Sequence, residues 1–188
     1  MKRTPKGSRG YVRYEKVKRA LIALLMFAIP LIIFFTGLIM SGTRKNLLTV
    51  VAILGVIPAA RFAVSWIMIM LAPETPAGVE EQTETLAGDC VRAYELTVTA
   101  YEGRMPLDAL VIRSGSVACL SLQGKKDLIP LMEKHIETIL KKNGIASVKV
   151  KIFPETKAFY ERIGSMGQND AGSESDEKIL AVIKAISL

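Results

Sequence analysis

The stretch "ALIALLMFAIPLIIFFTGLIM", residues 20–40, has no charged side chain over 21 residues. An α-helix needs about 20 apolar residues to cross the hydrocarbon core of a bilayer. A second apolar run, residues 47–72, follows after a short polar loop and is interrupted by one charge, Arg61. The sequence therefore predicts an N-terminal two-helix transmembrane hairpin with spans at residues 20–41 and 47–72.

A secretory signal peptide is the alternative interpretation of the first run. The run is longer than the apolar core of a signal peptide, and no small-x-small cleavage site precedes the next charges. A second apolar run also follows directly, which a cleaved leader would not need. These features favour a membrane anchor that stays in the protein.

The residues before the first span are strongly basic. Residues 1–19 hold eight lysines and arginines against Glu15 alone, whereas the loop between the spans holds only Arg44 and Lys45. Since basic segments next to a span stay in the cytoplasm, we expect a multi-pass protein of the inner cell membrane with both termini cytoplasmic. The basic tail is also suited to anionic lipid headgroups. Nucleic acid could bind such a tail, but membrane orientation already accounts for its charge.

The rest of the chain has a different composition. Of the 25 basic and 18 acidic residues, 11 and 1 precede residue 73, which leaves 14 against 17 and a net charge of −3. Residues 73–88 are predicted to be an acidic linker that starts a helix, and residues 89–188 a cytosolic α/β domain. In that compartment Cys90 and Cys119 are expected to be reduced thiols.

The α/β domain is predicted from alternating and helical apolar patterns. "LDALVIR" and "SVACLSL", residues 107–113 and 116–122, read as two strands joined by a two-residue turn at Ser114-Gly115. Around them we predict a helix from residue 79, a strand at 94–101, a helix at 127–142, a strand at 147–153, a short helix after Pro154, a flexible loop at 165–176 and a last helix. The order is αβββαβ with extra C-terminal helices.

Both faces of the central hairpin are apolar. Leu110, Ile112, Val117 and Cys119 share one face, and Ala109, Val111, Ala118 and Leu120 share the other. A sheet that is apolar on both faces needs a helical layer on each side.

This order and the piece "LDALVIRSGSVACLSLQ", residues 107–123, resemble the core of restriction-endonuclease-like proteins, in particular their nuclease-related domains. The resemblance implies a metal-binding aspartate on one strand, which Asp108 matches, and then an acidic residue and a lysine on the next strand. Pairing outward from the turn places Ser121 opposite Asp108, with Gln123 two residues further on. These neutral side chains stand where the acidic residue and the lysine belong, and one carboxylate holds a hard divalent cation poorly. We therefore expect a degenerate nuclease-like core in which Asp108 is the one catalytic candidate and no metal or cofactor is bound.

The segments "MKRTPKGSRGYVRY" and "SGTRKNLLTVVAILGVIPA" are similar to uncharacterised small bacterial membrane proteins with two spans. This resemblance implies no activity.

Arg61 is the candidate functional residue of the membrane hairpin, because a charge inside a bilayer is costly and usually marks a polar path or a paired partner. Neither span contains an acidic residue. The second span is longer than crossing requires, so it could shift until Arg61 reaches the cytoplasmic headgroups, with Trp66 at the interface and residues 62–71 partly along it. Alternatively, Arg61 lines an oligomeric pore or contacts a substrate.

Three functions follow as hypotheses. The favoured one is a non-catalytic cytosolic module, anchored to the lipid bilayer, that binds a protein or nucleic-acid partner. The alternatives are a membrane-tethered, metal-dependent nuclease using Asp108, and a homo-oligomeric channel or transporter subunit with Arg61 at its working site. The sequence favours a protein that is not an enzyme.

Overall fold

A computed structural model describes residues 4–101, 103–145, 147–166 and 174–187. The chain divides into two compact units: Val12–Ala72, and Met1–Tyr11 together with Pro73–Leu188. The first is a pair of helices and the second is an α/β unit. The α/β unit includes the chain from Pro73 onward, together with a segment that precedes the helices.

The helical unit consists of α1, Tyr11–Ser41, and α2, Leu47–Met70. Both helices are long and apolar enough to cross a membrane by length and composition. Only 17% of the most apolar window of α1 and 11% of that of α2 are buried, whereas a core helix of a soluble protein would be mostly buried. Asn46 caps α2, because its side-chain oxygen accepts a hydrogen bond from the backbone N–H of Thr49 at 2.8 Å.

Small residues line the contact between α1 and α2. A Cβ atom added at Gly55 would lie 3.3 Å from Cβ of Pro30. Ala52 and Ala59, three and four residues from Gly55 on the same face of α2, are buried. Small side chains let two helices approach closely, which is how helices associate in lipid.

The α/β unit contains one mixed sheet of four strands in the order β1-β2-β3-β4. The first three strands are antiparallel, and β4 runs parallel to β3. The elements are α3 Ala77–Ala87, β1 Val91–Ala100, β2 Gly103–Arg113, β3 Ser116–Leu120, α4 Ile129–Lys142 after a short 3₁₀ turn, β4 Lys149–Phe153, α5 Thr156–Met166 and α6 Glu174–Ile186.

The segment before the sheet differs from the prediction. Gly88, at a φ of 51°, ends α3, and β1 begins at Val91, three residues before the predicted start. Of the loop predicted at residues 165–176, both ends are helical, since α5 reaches Met166 and α6 starts at Glu174. Residues 167–173 lie outside the described residues.

Helices cover both faces of the sheet, and the predicted division of the hairpin into two apolar faces is confirmed. The first face packs against α4 and α6, including Met132, Ile136 and Ile183. The second packs against α3 and α5, including Val79, Phe159 and Ile163. Cys90 and Cys119 are free and buried.

The turn between β2 and β3 is also confirmed. Arg113 pairs with Ser116, and Ser114 and Gly115 have φ values of 48° and 73°, as a two-residue hairpin turn requires. The two turn N–H groups donate to the carboxylate oxygens of Asp176 on α6, at 3.0 and 3.1 Å. This buried aspartate therefore ties the last helix to the hairpin.

Candidate functional site

Asp108 lies at an irregularity in the sheet that involves both β1 and β2. Tyr94 pairs with Ala109 and Leu96 pairs with Leu107, but the ladder skips Glu95 and Asp108. Glu95 has a φ of 53°, which is rare for a residue that is not glycine.

The irregularity changes which side chains face each layer. In a regular strand, residues two apart share a face. Here Ala93 and Leu96, three apart on β1, enter the same core, as do Leu107 and Leu110 on β2. Each strand thus contains one extra residue at the same position along the ladder. This residue is Glu95 in β1 and Asp108 in β2.

The carboxylate of Asp108 is engaged by the backbone. Asp108 is only 3% exposed, and its Oδ2 accepts a hydrogen bond from the N–H of Leu122 at 2.7 Å. Its carbonyl oxygen, which the ladder leaves unpaired, accepts from the hydroxyl of Thr75 at 2.9 Å. Burial raises the pKa of Asp108, and the Leu122 hydrogen bond opposes that rise only in part. These contacts give Asp108 a structural role, which is to fasten the end of β3 and the Thr75 segment to the inserted residue.

The positions expected to complete a nuclease site are occupied differently. The hydroxyl of Ser121 donates to the carbonyl oxygen of Pro106 and lies 3.1 Å from the sulfur of Met105. Gln123 is exposed. Within the described ranges, no group of three or more His, Cys, Asp or Glu side chains is arranged to hold a metal ion. The hairpin brings Asp108 near Ser121, but the polar groups there satisfy the backbone instead of facing an open site.

A second buried polar cluster, formed by Glu80, Thr83 and Tyr94, lies between α3 and β1. The hydroxyls of Thr83 and Tyr94 and the Oε2 atom of Glu80 are buried without a hydrogen-bond partner among the residues that the structure describes. Burial raises the pKa of Tyr94 to about 12 and also raises that of Glu80. Sequence reasoning missed this cluster, because the apolar pattern of α3 is too weak to indicate which of its three glutamates faces inward.

Arg9 connects the N-terminal segment to this cluster. Its Nε atom lies 2.7 Å from Oε2 of Glu80, a charge contact in which the N–H is not aligned for a hydrogen bond. The side chain of Glu80 is 5% exposed and that of Arg9 is 73% exposed. The Arg9 charge thus partly offsets the cost of burying the Glu80 carboxylate.

The N-terminal segment covers the outer edge of β1. The backbone N–H of Tyr94 donates to the carbonyl oxygen of Gly7 at 3.0 Å. Beside it, Val98 forms a bridge with Ser187 at the end of the chain, and the ammonium of Lys6 donates to the carbonyl oxygen of Ser187. Two of the eight basic residues of the N-terminal tail, Lys6 and Arg9, therefore contact the rest of the α/β unit.

The opposite edge of the sheet is covered by α4. The outward N–H groups of Val150 and Ile152 on β4 donate to the carboxylates of Glu137 and Glu133, at 3.0 and 2.8 Å. Neither edge is therefore a free row of backbone groups along its whole length, which is how proteins avoid pairing of sheets between molecules.

In the helical unit, Arg61 is exposed on α2. Arg19 on α1 contacts α2 near this residue. Its guanidinium donates to the hydroxyl of Ser65 at 3.2 Å, and it also pairs with Glu15 at 2.9 Å. Arg61 lies four residues from Ser65, or about 6 Å along the helix. Residues 62–70 continue α2 without a break, so the predicted segment along the interface is not a separate element.

No protein-family model, curated protein or solved structure matches the chain. The likeness of residues 107–123 to nuclease-related domains therefore stays a prediction, as does the likeness of the N-terminal segments to small bacterial membrane proteins.

Proposed function

We propose that the chain is a membrane-anchored, non-catalytic module in which α1 and α2 span the inner membrane and the α/β unit binds a protein partner in the cytoplasm. The observation that carries this proposal is the exposed apolar surface of two long helices, in a chain whose α/β unit has an apolar core on each face of its own sheet. Exposed apolar surface of that extent needs lipid around it.

The dimensions of the helical unit support a bilayer location. From Ala20 to Met40, α1 measures about 32 Å, and from Leu47 to Ser65, α2 measures about 28 Å. A hydrocarbon core is about 30 Å thick. The Arg19–Ser65 contact would then lie at one interface and the Asn46 cap at the other.

This placement also accounts for Arg61 and Trp66. Arg61 would start about 6 Å below the Ser65 level, which is within reach of a long side chain that extends to the headgroups. Trp66 would lie at the interface, where tryptophan is enriched in membrane proteins. Extension of Arg61 to the headgroups is therefore favoured over a role at the working site of a channel.

Binding is favoured over catalysis because Asp108, the one catalytic candidate, is used by the fold. A protein partner is favoured over nucleic acid because residues 73–188 carry a net charge of −3, whereas nucleic-acid binding depends on concentrated positive charge. Since both sheet edges are covered, the partner should dock on helices and turns. Among the residues of this unit that the structure describes, the exposed large apolar side chains are Leu86 on α3, Leu131 on α4 and Tyr101 after β1.

Site-specific photo-crosslinking of the full chain in cells tests this proposal. A photoreactive residue at Leu86, Tyr101 or Leu131 is expected to give discrete adducts that protease removes and nuclease leaves intact. Ala158, exposed on α5, is the matched control position and should give none. Adducts that nuclease removes would assign a nucleic-acid partner instead, and the absence of adducts from all three positions would contradict partner binding.

Membrane anchoring is tested separately by washing membranes at alkaline pH. An integral hairpin stays in the pellet, whereas a peripheral protein is released. Release of the full chain would contradict the anchor, whatever the crosslinking result.

A further inference from the structure

An apolar groove runs between α1 and α2 at the end of the helical unit that contains the N-terminus of α1. Its volume is about 670 Å³, within the roughly 300–1,000 Å³ range of small-molecule sites. Leucine, phenylalanine and methionine side chains from both helices line it, among them Leu21, Leu24, Phe27 and Met70. Chains of CH₂ groups fit such a lining, because it offers little to a polar ligand.

Two cations lie where this groove opens. Lys16 lines the groove itself. Arg13 precedes Lys16 by three residues and Val17 by four, so it lies on the same face of α1, one turn nearer the N-terminus. Arg13 is exposed. The groove is thus apolar along its length and positively charged at one end.

A hydrogen-bond donor also lacks a partner in the groove wall. Trp66 lines the groove, and its indole N–H is buried with no acceptor in the part of the chain that the structure describes. A buried donor without an acceptor costs free energy. Since neighbouring side chains cover this N–H in the structure, an oxygen-bearing ligand at the groove mouth would supply the missing acceptor once those side chains move aside.

We propose that this groove is a binding site for one anionic phospholipid, which places an acyl chain among Leu21, Leu24 and Phe27, its phosphate beside Arg13 and Lys16, and an ester or phosphate oxygen at the Trp66 indole. The proposal rests on the proposed function, because it needs the Arg19–Ser65 level to lie at the cytoplasmic interface. There the cationic end of the groove meets headgroups and its apolar part meets acyl chains.

The charge pattern favours an anionic lipid over the other occupants. A zwitterionic headgroup brings its own cation to Arg13 and Lys16, so it gains less from them. A second copy of the hairpin would fill the apolar part but would place two sets of like charges together, which repel each other. An anionic lipid satisfies the apolar wall, the cations and the indole donor together.

Trp66 makes the test direct, because it is the only tryptophan in the chain. The full chain is reconstituted in bilayers of phosphatidylcholine with a low fraction of phosphatidylglycerol, and acyl chains brominated on one lipid at a time quench nearby tryptophan. Two cations at a membrane surface should enrich an anionic lipid beside Trp66 by about five-fold or more over its bulk fraction. Brominated phosphatidylglycerol should therefore quench Trp66 at a lower fraction than brominated phosphatidylcholine does.

Matched variants separate this site from general attraction to a basic protein. Arg13→Gln with Lys16→Gln should abolish the preference, and Ala20→Phe, which fills the groove, should weaken quenching by both lipids. Arg44→Gln with Lys45→Gln removes the same charge from the distant loop and should leave the preference unchanged.

The outcomes distinguish this inference from the proposed function. Equal quenching by the two lipids would overturn the lipid site and leave the membrane anchor standing. A preference that persists in the Arg13 and Lys16 variant would also overturn the site. Absence of quenching by either lipid, with the chain recovered outside the bilayers, would overturn both proposals.

Discussion

At the level of single residues, substitutions of Asp108 test whether this side chain supports the fold or takes part in catalysis. Asp108→Asn keeps an oxygen acceptor for the Leu122 N–H and removes a buried charge, so the fold and the function should both survive. Asp108→Ala leaves that N–H unsatisfied, and we expect the free energy of unfolding to fall by about 1–3 kcal/mol. Denaturant titration of each full-length variant in detergent, followed by proteolysis of the unfolded fraction, measures the free energy of unfolding. A functional loss in the folded Asn variant would contradict the structural role.

The unmodified chain and the Asp108→Asn variant should differ in how their free energy of unfolding depends on pH. Burial raises the pKa of Asp108 above its ordinary value of 3.8, so the folded state binds more protons than the unfolded state in the interval above that value. The contribution of Asp108 to stability is therefore complete below 3.8 and is lost as the pH rises through the folded pKa. The stability advantage of Asp108→Asn over the unmodified chain should be smallest near pH 4. It should increase as the pH rises towards the folded pKa of Asp108 and become constant above that pKa.

Arg9 and Glu80 form the residue pair that holds the N-terminal segment. Arg9→Gln removes the cation beside a buried carboxylate, and because Arg9 is largely exposed we expect a loss of about 1 kcal/mol or less. Trypsin should then cleave after Lys6 faster than in the unmodified chain. Arg9→Gln combined with Glu80→Gln removes both charges and should restore slow cleavage. An unchanged cleavage rate in the single variant would show that the pair does not hold the segment.

At the level of elements, the cover that α4 gives to the edge strand β4 leads to a further prediction. Glu133→Gln with Glu137→Gln keeps an oxygen acceptor for each outward N–H of the strand, so it should be tolerated. Glu133→Ala with Glu137→Ala leaves both N–H groups without these partners and exposes the edge. We expect a loss of about 1–3 kcal/mol per position and concentration-dependent association through the edge. Sedimentation and denaturant titration measure the two effects, and a stable, monomeric Ala variant would contradict the role of the glutamates.

The elements also show which structural features the sequence could predict. The β2–β3 turn and its two faces were predicted correctly, because a two-residue turn fixes the register and alternation fixes the faces. The insertion at Glu95 and Asp108 could not be predicted, since it requires both strands to interrupt their side-chain alternation at the same paired position. In the sequence, Glu133 and Glu137 are polar residues of the helix predicted at 127–142, and nothing near them indicates a neighbouring strand. Their role becomes visible only when β4, more than ten residues later, lies beside that helix.

At the level of the whole molecule, hydropathy predicted the two long helices but not what joins the chain ends to the α/β unit. The contacts of Lys6 and Gly7 with Ser187 and Tyr94 link positions up to 181 residues apart. Local patterns contain no signal for such contacts. The sequence therefore predicted lipid contacts for the basic tail but not the contacts that its first part makes with the α/β unit. Within α1, Lys16 lines the apolar groove, and Arg13 lies one turn before it.

Orientation in the membrane gives the last prediction, and the two native thiols make it measurable. Cys90 and Cys119 are both buried, so a membrane-impermeant maleimide should label the unmodified chain slowly. A cysteine introduced at Thr43, between the helices, should react in intact cells, because the loop carries only two of the basic residues and should lie outside. A cysteine at Ala158 should react only after the membrane is opened. The reverse pattern would place the α/β unit outside the cell, where neither the proposed cytoplasmic partner nor the contact of Arg13 and Lys16 with cytoplasmic lipid could exist.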